Sequence, residues 1–248
     1  VKLLSWNVEN FGKSKSNAEI SYIATLLNKY DLVALQEVVA GYGGAQAVAR
    51  LVDQLNRKGA KWDYSISNPT SSSAYKTERY AFIWKTNKAK LIGKPWLEKQ
   101  YEKQIDREPY YATFEKNGKN FTIVSFHAIT KSKQPETEIK YFKFLPNQYP
   151  DLNLVFLGDF NCPEKHTVFN PLKKMGYVSA LKNQKTTLKQ QCKETVCLAS
   201  EFDNIFYNVK KIRLLNKKAH LFYTKFESLA LARKVSDHIP IGCTFLLL

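Results

Sequence analysis

Leu154–Pro163 reads LVFLGDFNCP, and the rest of the chain is organised around it. Leu154, Val155, Phe156 and Leu157 show no polar alternation, so they fit a strand buried on both faces. Gly158 ends the apolar run. Asp159 and Asn161 then stand just beyond the strand's carboxyl end, which is where open α/β folds place their chemistry. By itself Asp-Phe-Asn also fits a local turn, because both residues favour turns for reasons of their own. The other segments have to decide between the two.

Upstream, Lys2–Val8 reads as a strand ending in the polar residues Asn7, Glu9 and Asn10. Asn17–Lys29 carries Ile20, Ile23, Leu26 and Leu27 at helical spacing, with Asn17 as its cap. Leu32–Leu35 is a short strand ending at Gln36 and Glu37. Ala45–Leu55 is an amphipathic helix with Val48, Leu51, Val52 and Leu55 on one face. The pattern then turns to sheet, with Trp62–Ile66, Arg79–Lys85, and Tyr110–Glu115 joined to Asn120–Phe126 through the hairpin signal Asn117-Gly118. Pro135 opens a further helix. Phe202–Tyr207 is a strand led by Asp203, and Ile239–Leu247 is one led by Asp237 and His238. Helices between some strands and hairpins between others predict an α/β (α+β) sandwich of two sheets with helices outside.

Length and composition set the bounds. With 248 residues, 44% of them hydrophobic, and no linker or repeat, a single domain over residues 1–248 is the simplest count. A net charge of +16 implies affinity for polyanions. No apolar run approaches the ~18 residues a spanning helix needs. The chain opens on Val1 rather than Met, as a removed signal peptide would leave it. Cys192 and Cys197 lie five apart in a Lys-rich stretch and suit a local disulfide, although Cys162 is an alternative partner for that region. Cys243 sits in an apolar strand as a small hydrophobe. A disulfide points to a secreted or periplasmic setting.

One theme recurs at the strand boundaries. Asn7, Glu37, His127, Asp159 with Asn161, Asp203, and Asp237 with His238 all sit where a strand begins or ends. Each alone has a bland reading as a turn or cap residue. Together they suit a hard divalent ion such as Mg²⁺, which takes oxygen ligands and keeps several waters, beside two histidines able to move protons near neutral pH.

The segments SWNVEN, LQEV, ERYAF, DREP, SFH, GDFN, FDNIF and SDHIP occur here in the order found in the endonuclease/exonuclease/phosphatase superfamily, and AYKTERYAFIWKTNKAK resembles its DNase I branch. The resemblance spans nearly the whole chain and implies a four-layer sandwich, two mixed β-sheets flanked by helices. It also implies a secreted, metal-dependent endonuclease of DNA with little sequence specificity, acting on double strands as a monomer.

By the same resemblance, Glu37 is the main metal carboxylate, with Asn7 beside it and Asp237 as a second acid. Asp159 and Asn161 orient or deprotonate the attacking water. His127 and His238 are the catalytic histidines, held by Glu78 and Asp203 respectively. Tyr75, Arg79, Arg107 and Glu108 fall at positions near the scissile phosphate. Mg²⁺ is the implied cofactor and Mn²⁺ an alternative, whereas the calcium loops of the DNase I branch have no recognisable counterpart for Ca²⁺.

The chain departs from that branch after LQEV, where Val39 replaces a groove-binding Arg and leaves Tyr42 or Arg50 to substitute. Lys182–Lys234 holds twelve Lys/Arg against four Asp/Glu, a balance suited to phosphate contacts. Rival functions on the same fold are a phosphoinositide phosphatase or sphingomyelinase, an abasic-site endonuclease, and an inactive binding subunit.

Overall fold

The structure, a computed structural model, describes residues 1–73 and 77–248. In chain order the first half contains β1 (Lys2–Phe11), α1 (Asn17–Leu27), β2 (Leu32–Val39), α2 (Tyr42–Asn56), β3 (Trp62–Ile66), β4 (Glu78–Lys85), β5 (Lys90–Leu97), β6 (Tyr110–Lys116) and β7 (Lys119–His127). The second half contains α3 (Glu136–Ile139), α4 (Leu145–Gln148), β8 (Leu154–Asp159), α5 (Asn170–Lys174), β9 (Tyr177–Ser179), β10 (Leu188–Lys193), β11 (Val196–Leu198), β12 (Asp203–Asn208), β13 (Ile212–Ala219), α6 (Leu229–Val235) and β14 (Ile241–Leu247).

These strands form two six-stranded sheets, ordered β13-β14-β1-β2-β4-β3 and β5-β6-β7-β8-β12-β9, with β10-β11 as a separate hairpin. Each sheet has one parallel pair at its centre, β1 with β2 and β7 with β8, and its other pairs are antiparallel. Each parallel pair needs a crossover, and the intervening helices supply it. The expected sandwich of two mixed sheets flanked by helices is therefore the observed architecture.

Three apolar clusters give the layers physical content. One, including Leu3, Phe82, Phe114, Ile123, Val155 and Leu157, fills the space between the sheets. A second packs α1, α2 and α6 on the outer face of the first sheet through residues such as Ile23, Leu27, Val48, Leu51 and Val235. A third packs Phe142, Leu145, Phe169 and Leu172 on the outer face of the second sheet. β8 is buried along its length, and successive side chains divide between layers: Val155 and Leu157 enter the inter-sheet core while Leu154 and Phe156 face the outer cluster. That division is why the strand shows no polar alternation.

Several local details differ from expectation. The α1 cap is Ser16 rather than Asn17. Ser16 Oγ accepts from Glu19 N at 3.2 Å, and Ser16 N donates to the Glu19 carboxylate at 2.7 Å, completing a capping box. The helix after Pro135 is broken into α3, a 3₁₀ turn over Lys140–Phe144, and α4, with Pro146 in the first turn of α4. Asn117 and Gly118 form the hairpin turn with φ of 52° and 74°. Cys192 and Cys197 are bonded to each other, across the β10-β11 hairpin. Cys162 is free and buried among the outer aromatic cluster, so it is not the partner of the later loop. Cys243 is also free and buried.

Gly158 occupies a position that requires glycine on two counts. Its φ is +131°, and a Cβ there would lie 1.9 Å from Phe126 O, on the neighbouring parallel strand β7. Gly158→Ala should lower stability by about 3 kcal/mol or more, read as a shift of the urea midpoint. An unchanged midpoint would show that β7 and β8 can separate without cost.

Candidate active site

Topology explains why the polar residues converge. β1, β2, β7 and β8 run in the direction that brings Asn7, Glu37, His127 and Asp159 to one edge of the sandwich at their carboxyl ends. β12 and β14 are antiparallel to these strands, so their beginnings arrive at the same edge. Asp203 is therefore paired directly with Asp159, and His238 lies three residues ahead of β14. Strands ended by a functional residue and strands led by one are two views of a single edge.

Local backbone irregularity aims the side chains. The β1–β2 register shifts between Asn7 and Phe11, and the β2–β4 register shifts between Leu35 and Val38. Glu37 sits within that bulge at φ +58°, and Asn161 has φ +49°. Non-glycine residues pay for the left-handed conformation, and bulges of this kind redirect a side chain at functional sites.

The result is a cleft of about 740 Å³ lined by Glu37, Glu78, Arg107, His127, Asp159, Asn161, Asp237 and His238 among others. His127 Nδ1 lies 3.0 and 2.9 Å from the two Glu78 carboxylate oxygens, and His238 Nδ1 lies 2.7 Å from Asp203 Oδ2. An ionised carboxylate only accepts, so each Nδ1 carries the proton and each Nε2 is left for chemistry. Both Nε2 atoms are 3.5 Å from the same oxygen, Asp159 Oδ2. Asn7 Nδ2 donates to that oxygen at 3.1 Å and to Glu37 Oε1 at 3.0 Å, while Asn161 N donates to Asp159 Oδ1 at 2.9 Å.

Electrostatics follow from these contacts. Burial alone would depress both histidines, but the Glu78 carboxylate outweighs it for His127 and holds it above 6.5, and Asp203 with Asp159 holds His238 well above that value. Burial would raise Asp159, yet His238 and His127 keep it below its usual range. Glu37 is likewise pushed up by burial and brought below its usual range by His127 and by bonds from Asn7 and Asn10.

A divalent cation fits beside Glu37. Asn7 Oδ1 is buried without a hydrogen-bond partner, and Nδ2 of the same amide donates to the partly open Glu37 carboxylate at 3.0 Å. This is an oxygen-donor set of the kind Mg²⁺ uses when it keeps most of its waters. Asp159, Asp203 and His238 also bring ligand atoms within 4.8 Å of one another. That trio is already satisfied internally, because Asp203 Oδ2 accepts from both His238 Nδ1 and Thr186 Oγ1. Asp237 is more exposed, with Oδ2 3.8 Å from Arg233 and Oδ1 3.9 Å from His238 Nε2.

Not every expected residue joins the cleft. Arg79 donates from Nε to Ala40 O and from Nη1 to Ser67 O, both at 2.8 Å, and does not line it. Its guanidinium ties two loops together. Both Glu108 oxygens accept from Ser71 N, which again anchors a loop. Arg107 lines the cleft and donates to His127 O at 2.9 Å and to Ala128 O. Tyr75 lies outside the described residues.

The structure also exposes supports that sequence reasoning missed. Thr186 Oγ1 donates to Asp203 Oδ2 at 2.6 Å. Ser236 Oγ donates to Asn7 O at 2.6 Å and accepts from His238 N at 2.9 Å, joining the two halves of the site. Glu138 accepts from Asp106 N at 2.6 Å and Ile129 N at 2.9 Å, bracketing the segments that carry Arg107 and His127. Only Ser236, inside SDHIP, had a sequence signal.

The raised histidines make a sign-defined prediction. Each contributes stability that is complete below its unfolded value of 6.5 and is lost as pH rises through its folded value. In EDTA, the urea midpoint should fall as pH is raised from 6.5 through those values. The His127→Gln/His238→Gln variant should show a flatter dependence, and an unchanged slope would contradict the pairing.

A family model described as the Endonuclease/Exonuclease/phosphatase family matches residues 4–238. Deoxyribonuclease-1 of Bos taurus is 32% identical over 173 residues, covering 65% of this chain and 60% of the bovine protein's length. A Deoxyribonuclease of Thioalkalivibrio sp. (strain K90mix) is 25% identical over 177 residues, covering 67% of this chain and 47% of that protein. Among solved structures, the human Nocturnin catalytic domain with bound sulfate aligns at TM-score 0.71 and 16% identity, covering 100% of this chain and 94% of that one. D. rerio TDP2 complexed with single-strand DNA product aligns at 0.70 and 16%, covering 99% and 98%. These structural likenesses carry the fold alone. The family model, matched over residues 4–238 of the 248, shows that the chain belongs to the endonuclease/exonuclease/phosphatase family.

Proposed function

We propose that this chain is a divalent-metal-dependent endonuclease that hydrolyses phosphodiester bonds of DNA with little sequence preference, as a single domain and a monomer. The observation that carries the reading is the pair of carboxylate-backed histidines presenting both Nε2 atoms to Asp159 Oδ2 at 3.5 Å. The bovine and bacterial relatives named as deoxyribonucleases support DNA as the substrate, and the chain spans 60% and 47% of their lengths. A net charge of +16 adds attraction for a polyanion.

In this reading Asp159 holds the attacking water, with Asn7 and Asn161 fixing its carboxylate. His127 and His238 contact the phosphoryl oxygens and exchange protons through Nε2, each kept in one tautomer by Glu78 or Asp203. Glu37 and Asn7 would hold Mg²⁺ or Mn²⁺, with Asp237 as an outlying acid. When bound, the cation supplies positive charge to a non-bridging phosphate oxygen. Arg107 lines the cleft as a further positive group.

At the position left by Val39, Tyr42 is 68% exposed and free to meet DNA, whereas Arg50 Nη2 is bonded to Asn17 Oδ1 at 2.6 Å. The Cys192–Cys197 disulfide supports a secreted or periplasmic location.

Plasmid nicking tests the reading. Nicking in Mg²⁺ should stop in EDTA and weaken with salt, and His127→Ala should reduce its rate by about 10²–10⁴-fold. No cleavage of DNA, with hydrolysis of a phosphomonoester or a lipid phosphodiester instead, would overturn it. Glu37→Gln should weaken Mg²⁺ binding in calorimetry without unfolding the chain, and unaltered affinity would remove Glu37 from the metal site.

A further inference from the structure

A basic hollow lies on another part of the first sheet, away from the cleft. Lys2 begins β1, five residues ahead of Asn7 and so roughly 17 Å from it along the strand. There Lys2, Lys29, Lys217, Lys218, His220 and Tyr30 line a cavity of about 170 Å³. A neighbouring hollow of about 310 Å³ shares Lys29, Lys218 and His220 with it and adds Lys225. Among the described residues no Asp or Glu lines either one. Asp31, the acid next to Tyr30 in the chain, accepts from Lys2 N at 2.9 Å and is not in either wall. Among the described residues no ion pair engages Lys2, Lys29, Lys217 or Lys218.

The floor of the cavity is built rather than incidental. Tyr30 is buried and lies across Gly242, where a Cβ would sit 2.6 Å from Tyr30 Oη. Tyr30 Oη is bonded to His220 Nε2. Burial, with Lys218 and Lys29 alongside, lowers His220 to about 4, so the ring is neutral at physiological pH. Burial also pushes the Tyr30 hydroxyl up to about 12, so it remains protonated and donates to Nε2. The neutral ring then carries its proton on Nδ1, which adds an N–H donor to the ammonium groups.

Lysines on an edge strand such as β13 need do no more than repel other strands. Here, however, Lys2 comes from β1 and Lys29 from the turn after α1, and they converge with Lys217 and Lys218 on one cavity. Unpaired like charges gathered around a hollow are stabilised by an anion.

We propose that this cavity is an exosite for a phosphate of the polynucleotide backbone, occupied while another stretch of the same nucleic acid lies in the cleft. The proposal rests on the nucleic-acid reading above. Its role is retention: a strand held at the exosite stays near the cleft between cleavage events, through contacts that carry no sequence information.

The test uses the full chain in EDTA, with a DNA duplex of about three helical turns, ~30 base pairs, and separately with inorganic phosphate. Duplex affinity is measured by anisotropy across a salt series, and the His220 ring is followed by NMR. Lys217→Ala/Lys218→Ala should weaken binding several-fold at low salt and reduce the salt slope by about 2. It should also abolish the His220 shift that both ligands produce in the unmodified chain. Lys58→Ala/Lys61→Ala, another exposed pair outside this cavity, controls for net charge.

An equal loss in the control, or a His220 ring indifferent to the duplex, would overturn the exosite. A shift with inorganic phosphate alone would also overturn it, reassigning the cavity to a small anion. Nicking is read separately, so loss of nuclease activity and loss of the exosite are distinguishable outcomes.

Discussion

A carboxylate withdrawn from water is costly unless donors surround it, and Asp159 is 1% exposed. Its two oxygens are met by Asn7 Nδ2, Asn161 N, and the Nε2 edges of His127 and His238. Those partners come from β1, the turn after β8, the end of β7 and the turn before β14. Satisfying one buried charge thus requires both sheets to be packed in register, and the sandwich is the device that brings them there. The same interaction holds the site in one protonation pattern, because each histidine is fixed from behind by a second carboxylate.

The supports around that centre form a graded set. Glu78 and Asp203 decide the tautomers. Thr186, Ser236 and Glu138 then fix the carboxylates and main-chain segments that hold them. Ser236 spans from Asn7 O to His238 N, so β1 and the turn before β14 are tied to each other. The polar groups of the site are shared, and such networks lose more than one contact when a member is removed.

Much of this was legible in the sequence, for physical reasons. β8 was readable because burial on both faces forbids polar residues along its length. Asn7, Glu37, His127, Asp159 and His238 were readable because polar side chains at the boundaries of apolar strands stand out. Less legible were the elements whose stability comes from their neighbours. β13 is mostly exposed, with three of its eight residues basic (Arg213, Lys217 and Lys218) and no apolar alternation to mark it. Arg79 and Glu108 stood in suggestive motifs, yet the structure commits them to carbonyl and amide groups of loops. Thr186 was invisible because its importance lies in a hydroxyl meeting Asp203, seventeen residues away.

The central claim is that Asp159, whose Oδ2 both histidines face, holds the attacking water, and Asp159→Asn tests it most directly. The substitution keeps the shape and removes the charge, and the quantity to measure is the single-turnover rate of DNA cleavage in Mg²⁺. The account predicts a collapse of that rate towards background while duplex affinity and the urea midpoint stay within reach of the unmodified chain. A rate retained to within a few-fold would contradict it, and would move the chemistry away from the point where His127 and His238 meet.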